Sequence, residues 1–197
     1  MVGEWTTPVL EGELVRLEPM TLVHEDGLWE ASRDERTWTW LSVHQPQTRE
    51  EMGAYLKDAL ANAAAGVEMP LVTVRRADGV VVGSTRYLAL TPEHRSLEIG
   101  WTWLAPEAWG TGINVEAKLL MLEHAFETLG CLRVELKTDA RNERSRGAMA
   151  ALPAQFEGVH RKAMLVRGGQ RRDSAWYSVI DDEWPEVRAN LLRRLGR

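Results

Sequence analysis

The amino-acid sequence predicts one α/β domain that spans residues 1–197. A chain of 197 residues can bury one sizeable core but is too short for two comfortable domains. Segments in which apolar residues alternate, as in strands, are interspersed with segments of helical periodicity. Residues 97–119 join both patterns through a glycine turn, and we expect the rest of the chain to be organised around this stretch.

The predicted elements follow in the order strand, two helices, three strands, helix, strand, helix, two strands and a final helix. The first strand alternates over residues 14–18, and Thr21 is a plausible N-cap for a helix through about residue 33. Residues 37–46 have no clear period and are predicted to be irregular. The other predicted elements are a helix from about residue 48 to 66, strands over 69–76, 80–90 and from 97, a helix from 115, a strand over 132–137, a short helix over 139–152, hairpin strands over 156–166 and 171–180, and a C-terminal helix over about 182–195.

The stretch over residues 97–119 predicts an anion site. Pro106 ends its strand, and residues 109–112, here called the glycine turn, precede a helix that is apolar on one side from Val115 onward. This layout directs unpaired backbone N–H groups outward at the positive end of the helix dipole, where phosphate binds. Gly110 and Gly112 can adopt left-handed backbone angles and leave room for the phosphate.

The same stretch resembles the pyrophosphate loop of the GCN5-related N-acetyltransferases (GNAT). It is similar in particular to the RimJ/RimL-like branch of ribosomal-protein N-terminal acetyltransferases, whose Glu-Ile-Gly and Glu-Ala motifs match residues 98–100 and 116–117. Glu107 stands where the family often has Gln or Arg, so phosphate binding would depend on backbone amides. The resemblance covers essentially the whole chain and implies the GNAT fold: a mixed, mostly antiparallel sheet, splayed at the central strand and flanked by helices.

The resemblance implies acetyl-coenzyme A (acetyl-CoA) as the acyl donor and no metal. Backbone groups next to a bulge in the central strand would pair with the pantetheine arm, and the amides of the glycine turn would hold the pyrophosphate. The residues expected to bind the donor are Trp101, Thr102, Trp103, Trp109, Gly110, Thr111, Gly112, Ile113, Asn114, Asn142 and Ser145.

Three residues are predicted to take part in catalysis: Glu98, Asn142 and Ser145. Glu98 would point into the slot that the splayed central strand opens in the sheet. The surrounding tryptophans would raise its pKa toward that of a general base. The alternatives are a base that acts through water, an anchor for the ammonium group of the acceptor, and a solvated carboxylate without a catalytic role. Asn142 would bind the pantetheine arm and Ser145 would lie near the sulfur, although both residue types also favour helix starts. Met149 occupies the place where many relatives have a proton-donating tyrosine.

The acceptor site is predicted to include Trp38, Trp40, His44 and Glu98. Tryptophans cluster in the irregular segment 37–46 and in the central strand, which suggests an aromatic pocket. No second ligand at metal spacing accompanies His44.

Composition excludes several classes of function. A net charge of −5 argues against a nucleic-acid partner held by phosphate contacts. No apolar run approaches the length of a membrane span, and the N-terminal residues lack the features of a signal peptide. The single Cys131 excludes an internal disulfide and fits the reducing cytoplasm. Homodimers are common in the branch that the chain resembles.

The combined prediction is an N-acetyltransferase that moves an acetyl group from acetyl-CoA to a primary amine by direct transfer in a ternary complex. An aromatic pocket favours a small-molecule acceptor, whereas the resemblance to ribosomal-protein enzymes favours a protein or peptide N-terminus. A third possibility is a non-catalytic acyl-CoA sensor, which Met149 and Glu107 would favour.

Overall fold

The computed structural model describes residues 5–197, so the first four residues of the predicted domain lie outside the described residues. Within that range the strands are β1 (Leu10–Glu11), β2 (Val15–Pro19), β3 (Glu68–Arg75), β4 (Val81–Thr91), β5 (Ser96–Leu104), β6 (Arg133–Asp139), β7 (Gln155–Val166) and β8 (Gln170–Ile180). The α-helices are α1 (Glu25–Ala31), α2 (Arg49–Ala64), α3 (Ile113–Glu123), α4 (Glu143–Ala151) and α5 (Trp184–Arg194).

The strands form one sheet in the order β1-β2-β3-β4-β5-β6-β8-β7. Each neighbouring pair is antiparallel except β5 and β6, which run parallel. The predicted fold class, a mixed and mostly antiparallel sheet flanked by helices, is confirmed.

The structure differs from the predicted elements in one additional strand and in the starts of two helices. The strand β1 was not predicted, and it pairs with β2 over only two residues. The helix α4 begins at Glu143 rather than at residue 139, because β6 continues to Asp139 and the Asn142 side chain caps the helix by accepting from the Ser145 N–H. The helix α3 begins two residues earlier than predicted and continues into a π-helical turn, His124–Thr128.

The sheet opens between β5 and β6. These strands are paired only from Ser96 to Glu98 on β5 and from Arg133 to Glu135 on β6. Beyond Glu98 and Glu135 no further pairs form, so the two strands diverge as predicted, and they leave a slot in the middle of the sheet.

The helices cover the two faces of the sheet and bury a separate apolar cluster on each. On one face α1 and α2 pack against β3 and β4, around residues such as Leu56, Val72 and Trp103. On the other face α3 and α5 pack around residues such as Leu71 and Ile99. No helix in residues 5–197 combines the length and the apolar character needed to cross a bilayer.

A buried carboxylate fixes α3 to the start of β2. Glu116 is fully buried, and its carboxylate accepts hydrogen bonds from the backbone N–H groups of Glu13, Leu14 and Val15 at 2.9, 2.6 and 2.8 Å. The Arg197 guanidinium donates to the same carboxylate at 2.6 Å. The glutamate of the Glu-Ala motif is therefore a structural residue that positions the helix behind the glycine turn.

Candidate active site

A cavity of about 660 Å³ occupies the opening between β5 and β6, and we call it the splay cavity. It is continuous from the glycine turn, past the start of α4, to the buried carboxylate of Glu98. The predicted site residues that line it are Trp40, Glu98, Trp101, Thr102, Trp103, Trp109, Gly110, Gly112, Asn114, Asn142 and Ser145.

Four predicted site residues do not line this cavity. Trp38 is buried against Trp103, with its indole N–H donating to the Ser32 carbonyl, and it borders a separate cleft of about 390 Å³ together with His44. The Thr111 hydroxyl donates to the Ala108 carbonyl, and Ile113 is buried in the core. The structure therefore separates Trp38 and His44 from the predicted acceptor site that Trp40 and Glu98 share.

The two glycines of the turn face different surroundings. Both have left-handed backbone angles, with φ of 74° at Gly110 and 88° at Gly112. A Cβ added at Gly110 would meet no atom within 4 Å, whereas one at Gly112 would approach Leu14 Cδ1 to 3.0 Å. A side chain at Gly112 would therefore point toward Leu14, and the role of both glycines in phosphate binding stays a prediction.

A bulge interrupts β5 at the predicted place. Gly100 lies opposite Arg86 of β4 and Trp103 lies opposite Ser84, so β5 has an extra residue between these pairs. Trp101 has a φ of 50°, which is uncommon for a residue other than glycine. The Arg86 guanidinium lies 4.8 Å from the centre of the Trp101 ring and thereby holds the indole at the slot.

Glu98 lies inside the splay cavity with only 2% of its surface exposed. Burial raises its pKa, and the ion pair with Lys137 Nζ at 2.7 Å opposes that rise. A Cβ at Gly100 would come within 2.8 Å of Glu98 Oε1, so the glycine of the Glu-Ile-Gly motif makes room for this carboxylate. The charged neighbour of Glu98 is thus Lys137, which the sequence analysis did not select.

The residues at the start of α4 already have partners within the protein. Asn142 is buried; its Oδ1 accepts from the Ser145 N–H at 3.1 Å and its Nδ2 donates to Thr138 Oγ1 at 3.2 Å. The role of Asn142 and Ser145 in binding acetyl-CoA stays a prediction. Asn142 Nδ2 has a second hydrogen, which is free to donate to a ligand in the cavity. Met149 also lines the cavity, and its thioether cannot donate a proton.

Two arginines of α4, Arg144 and Arg146, differ in role. The Arg144 guanidinium lies 3.9 Å from the centre of the Trp109 ring and lines the cavity. Arg146 instead donates to the Tyr177 hydroxyl and to the Ala140 carbonyl, so it stabilises the fold. Of the two, only Arg144 is placed to meet a phosphate. Within residues 5–197 no group of three His, Cys, Asp or Glu side chains is arranged to hold a metal ion.

Lys118 is a cavity residue that the sequence analysis missed. It lies on α3, and its Nζ donates to Thr102 Oγ1 at 3.0 Å. Burial lowers the pKa of Lys118 to about 7. A lysine between two apolar helix residues gave no signal in the sequence, because a long side chain at such a place usually reaches solvent.

We expect Lys118→Met to stabilise the free protein, and more so at low pH. The pKa of Lys118 is lower in the folded protein than in the unfolded chain, so this lysine reduces the free energy of unfolding as pH falls from about 10 to 7. The difference between variant and wild-type urea midpoints should therefore be larger at pH 6 than at pH 9. Lys57→Met, at an exposed position of α2, is the control. Equal differences at both pH values would contradict the prediction.

Comparison with known proteins gives a consistent set of relatives. A family model described as "Acetyltransferase (GNAT) domain" matches residues 15–154. A solved structure from Thermus thermophilus, provisionally described as an acetyltransferase, is 39% identical with a TM-score of 0.88, covering 98% of this chain and 100% of that one. Mycobacterium smegmatis RimJ, solved in complex with CoA-disulfide, is 22% identical with a TM-score of 0.83, covering 100% of this chain and 98% of that one. At this identity the similarity shows a shared fold.

A curated relative from Bacillus subtilis (strain 168) carries the provisional description ribosomal N-acetyltransferase YdaF. It is 33% identical over 107 residues, which span 54% of this chain and 57% of the relative. The chain thus matches little more than half the length of that protein.

Proposed function

The chain belongs to the GNAT family of acyl-CoA-dependent N-acetyltransferases, and from this premise we propose that it acetylates the primary amine of a small molecule, with acetyl-CoA as donor. The transfer is direct, within a ternary complex. Cys131 is buried outside the cavity lining and burial raises the pKa of its thiol to about 11, so it is unsuited to form an acyl-enzyme.

One observation carries this proposal: a single cavity joins the glycine turn to the buried Glu98 carboxylate. The turn, with its left-handed glycines before α3, supplies backbone N–H groups for the pyrophosphate of the donor. The slot between β5 and β6 accommodates an extended arm that leads from the turn toward Glu98.

The residues at the inner end of the slot fit amine chemistry. An aliphatic ammonium has a pKa of about 10, so at neutral pH a group must take its proton before it can attack. Glu98 takes that proton, directly or through water, and the neutral amine then attacks the thioester carbonyl. The C–N bond forms, the C–S bond of the donor breaks, and the nitrogen gives its second proton to Ser145 or to water. The departing thiolate takes a proton from Ser145 or from water, because Met149 has none to give.

The aromatic wall of the cavity favours a compact acceptor. Trp40 forms part of the wall, and the Arg141 guanidinium lies 5.6 Å from the centre of its ring. The Arg167 guanidinium donates to the Thr39 carbonyl, which ties the β7–β8 turn to the segment that holds Trp40. These contacts hold Trp40 in the cavity wall and support a compact acceptor, whereas a protein N-terminus would need an open groove. The ribosomal description of the Bacillus relative favours the second candidate, a peptide N-terminus.

The test is release of free thiol from acetyl-CoA with a panel of small primary amines and of peptides with free N-termini. We expect thiol release with small amines, accompanied by acetylated product in mass spectrometry. Turnover confined to peptides would overturn the small-molecule assignment. Binding of acetyl-CoA by calorimetry without turnover of any amine or peptide would instead indicate a sensor.

A further inference from the structure

A buried arginine at the acceptor end of the splay cavity has no ion-pair or side-chain hydrogen-bond partner among residues 5–197. Arg172 of β8 lines the cavity with Met164, its neighbour on β7, and only 8% of its surface is exposed. Its Nε atom has no hydrogen-bond partner among residues 5–197. A buried guanidinium without hydrogen bonds lowers the free energy of unfolding, because its desolvation is not compensated. Its presence in the cavity therefore indicates a function other than stability.

The carboxylates around Arg172 are each paired with a different cation. Glu98 forms its ion pair with Lys137 at 2.7 Å, and Asp139 forms one with Arg141 at 2.9 Å. Within the described part of the chain, no ion pair within 4.0 Å includes Arg172. Burial lowers the pKa of Arg172, while Asp139 and Glu98 oppose that effect from a distance. Arg172 is therefore a cation available to a ligand.

Strand register places Arg172 on the same face of the sheet as Glu98. Glu98 pairs with Glu135, and Lys137 pairs with Trp176, so these side chains share one face. Arg172 is four residues from Trp176 on β8 and lies on that face as well. The phosphates of a donor would lie at the glycine turn, before α3 on the opposite face. A ligand of Arg172 therefore belongs to the acceptor, not to the donor phosphates.

We propose that Arg172 binds a carboxylate of the acceptor, so that the acceptor is an amino-acid-like molecule with its amine toward Glu98 and its carboxylate toward Arg172. The proposal rests on the proposed function and specifies its substrate class. A guanidinium fork fits a carboxylate through two parallel hydrogen bonds, which gives orientation as well as affinity. The pair of Glu98 and Arg172 then matches the two charges of an amino acid.

Matched acceptors test this proposal. Free amino acids are compared with their decarboxylated amines, arginine with agmatine and lysine with cadaverine, in the thiol-release assay. We expect the amino acid of each pair to have the lower KM. Arg172→Gln should raise the KM of the amino acids roughly 10- to 100-fold, as expected for loss of a charge-assisted hydrogen bond, and leave that of the amines unchanged. Arg171→Gln, at the exposed neighbouring position, is the control and should change neither.

A second measurement does not depend on turnover. The melting temperature of the free Arg172→Gln protein should be higher than that of the wild type, because a buried unpaired charge has been removed. The amino acids should raise the melting temperature of the wild type more than that of the variant, and the decarboxylated amines should shift both proteins equally. This pattern without any turnover would support the carboxylate site while contradicting acetyl transfer to small amines.

Two outcomes would overturn the carboxylate assignment. In the first, the wild type acetylates both members of each pair equally well and Arg172→Gln changes no KM, so acetyl transfer stands without a role for Arg172. In the second, no amino acid shifts the melting temperature of the wild type, or Arg172→Gln changes the KM of peptides only.

Discussion

Glu98→Gln should lower kcat by about 10²- to 10⁴-fold, the usual contribution of a general base. Glutamine keeps the shape of the side chain and can still donate a hydrogen bond, but it cannot take the proton of the amine. The affinity for coenzyme A should not change, because the glycine turn lies at the other end of the splay cavity. Steady-state kinetics and calorimetry on the same variant measure both quantities.

The pH dependence of kcat distinguishes a base from an anchor. In the wild type kcat should fall on the acidic side as Glu98 becomes protonated, at a pH above the ordinary range of a glutamate because burial raises its pKa. Lys137→Gln removes the cation that opposes this rise, so the acidic limb should move to higher pH. If Glu98→Gln raises only the acceptor KM and keeps the limb, then Glu98 anchors the ammonium and another group takes the proton.

Glu116→Ala should lower the free energy of unfolding by about 3–5 kcal/mol, a large part of the total stability of a typical domain. The substitution leaves the N–H groups of residues 13–15 without their acceptor and Arg197 without its partner. Glu116→Gln should also destabilise, since an amide NH₂ cannot accept from the N–H that faces it. Urea unfolding of the three proteins measures the effect.

The contribution of Glu116 should disappear in acid. Burial opposes its ionisation, but hydrogen bonds from Arg197 and from residues 13–15 outweigh burial, so the pKa of Glu116 is lowered. Its stabilisation is therefore complete above the unfolded value, about pH 4.3, and is lost as pH falls through the folded value. Glu123→Gln is the matched control on the same helix, because its ion pair with Arg188 is partly exposed and should contribute under about 1 kcal/mol. Similar losses for both variants would refute the special role of Glu116.

Local patterns in the sequence were enough to predict most of the fold. Alternation, glycines and prolines predicted the order of the strands and helices. The slot beside β5 was predicted from the family resemblance that residues 97–119 carry. Glu98 was identified as an inward-facing residue because the neighbours of a strand residue are set by its period of two. The order of the elements and the face of Glu98 depend on contacts within one element or between neighbours in the chain.

The remaining features depend on contacts between distant segments. Trp38 was predicted in the acceptor site. Its indole packs on Trp103 outside the cavity lining, and no periodicity in residues 37–46 could reveal this contact. Arg172 looked like one of several charged residues in a hairpin, and its burial at the splay cavity had no sign in the sequence. Lys137, at a polar position of an alternating strand, gave no sign that its partner would be Glu98, which is 39 residues earlier in the chain.

The short junction between β5 and β6 links stability to turnover. Three residue pairs join two half-sheets, β1–β5 and β6–β8. The helices α3, on β2, and α5, on β8, contact each other and bridge the two halves. Substitutions that extend the pairing beyond Glu98 and Glu135 would make the protein more rigid and would close the slot at the same time. The same few backbone hydrogen bonds therefore limit both how stable this enzyme can become and how wide an opening it can offer to its substrates.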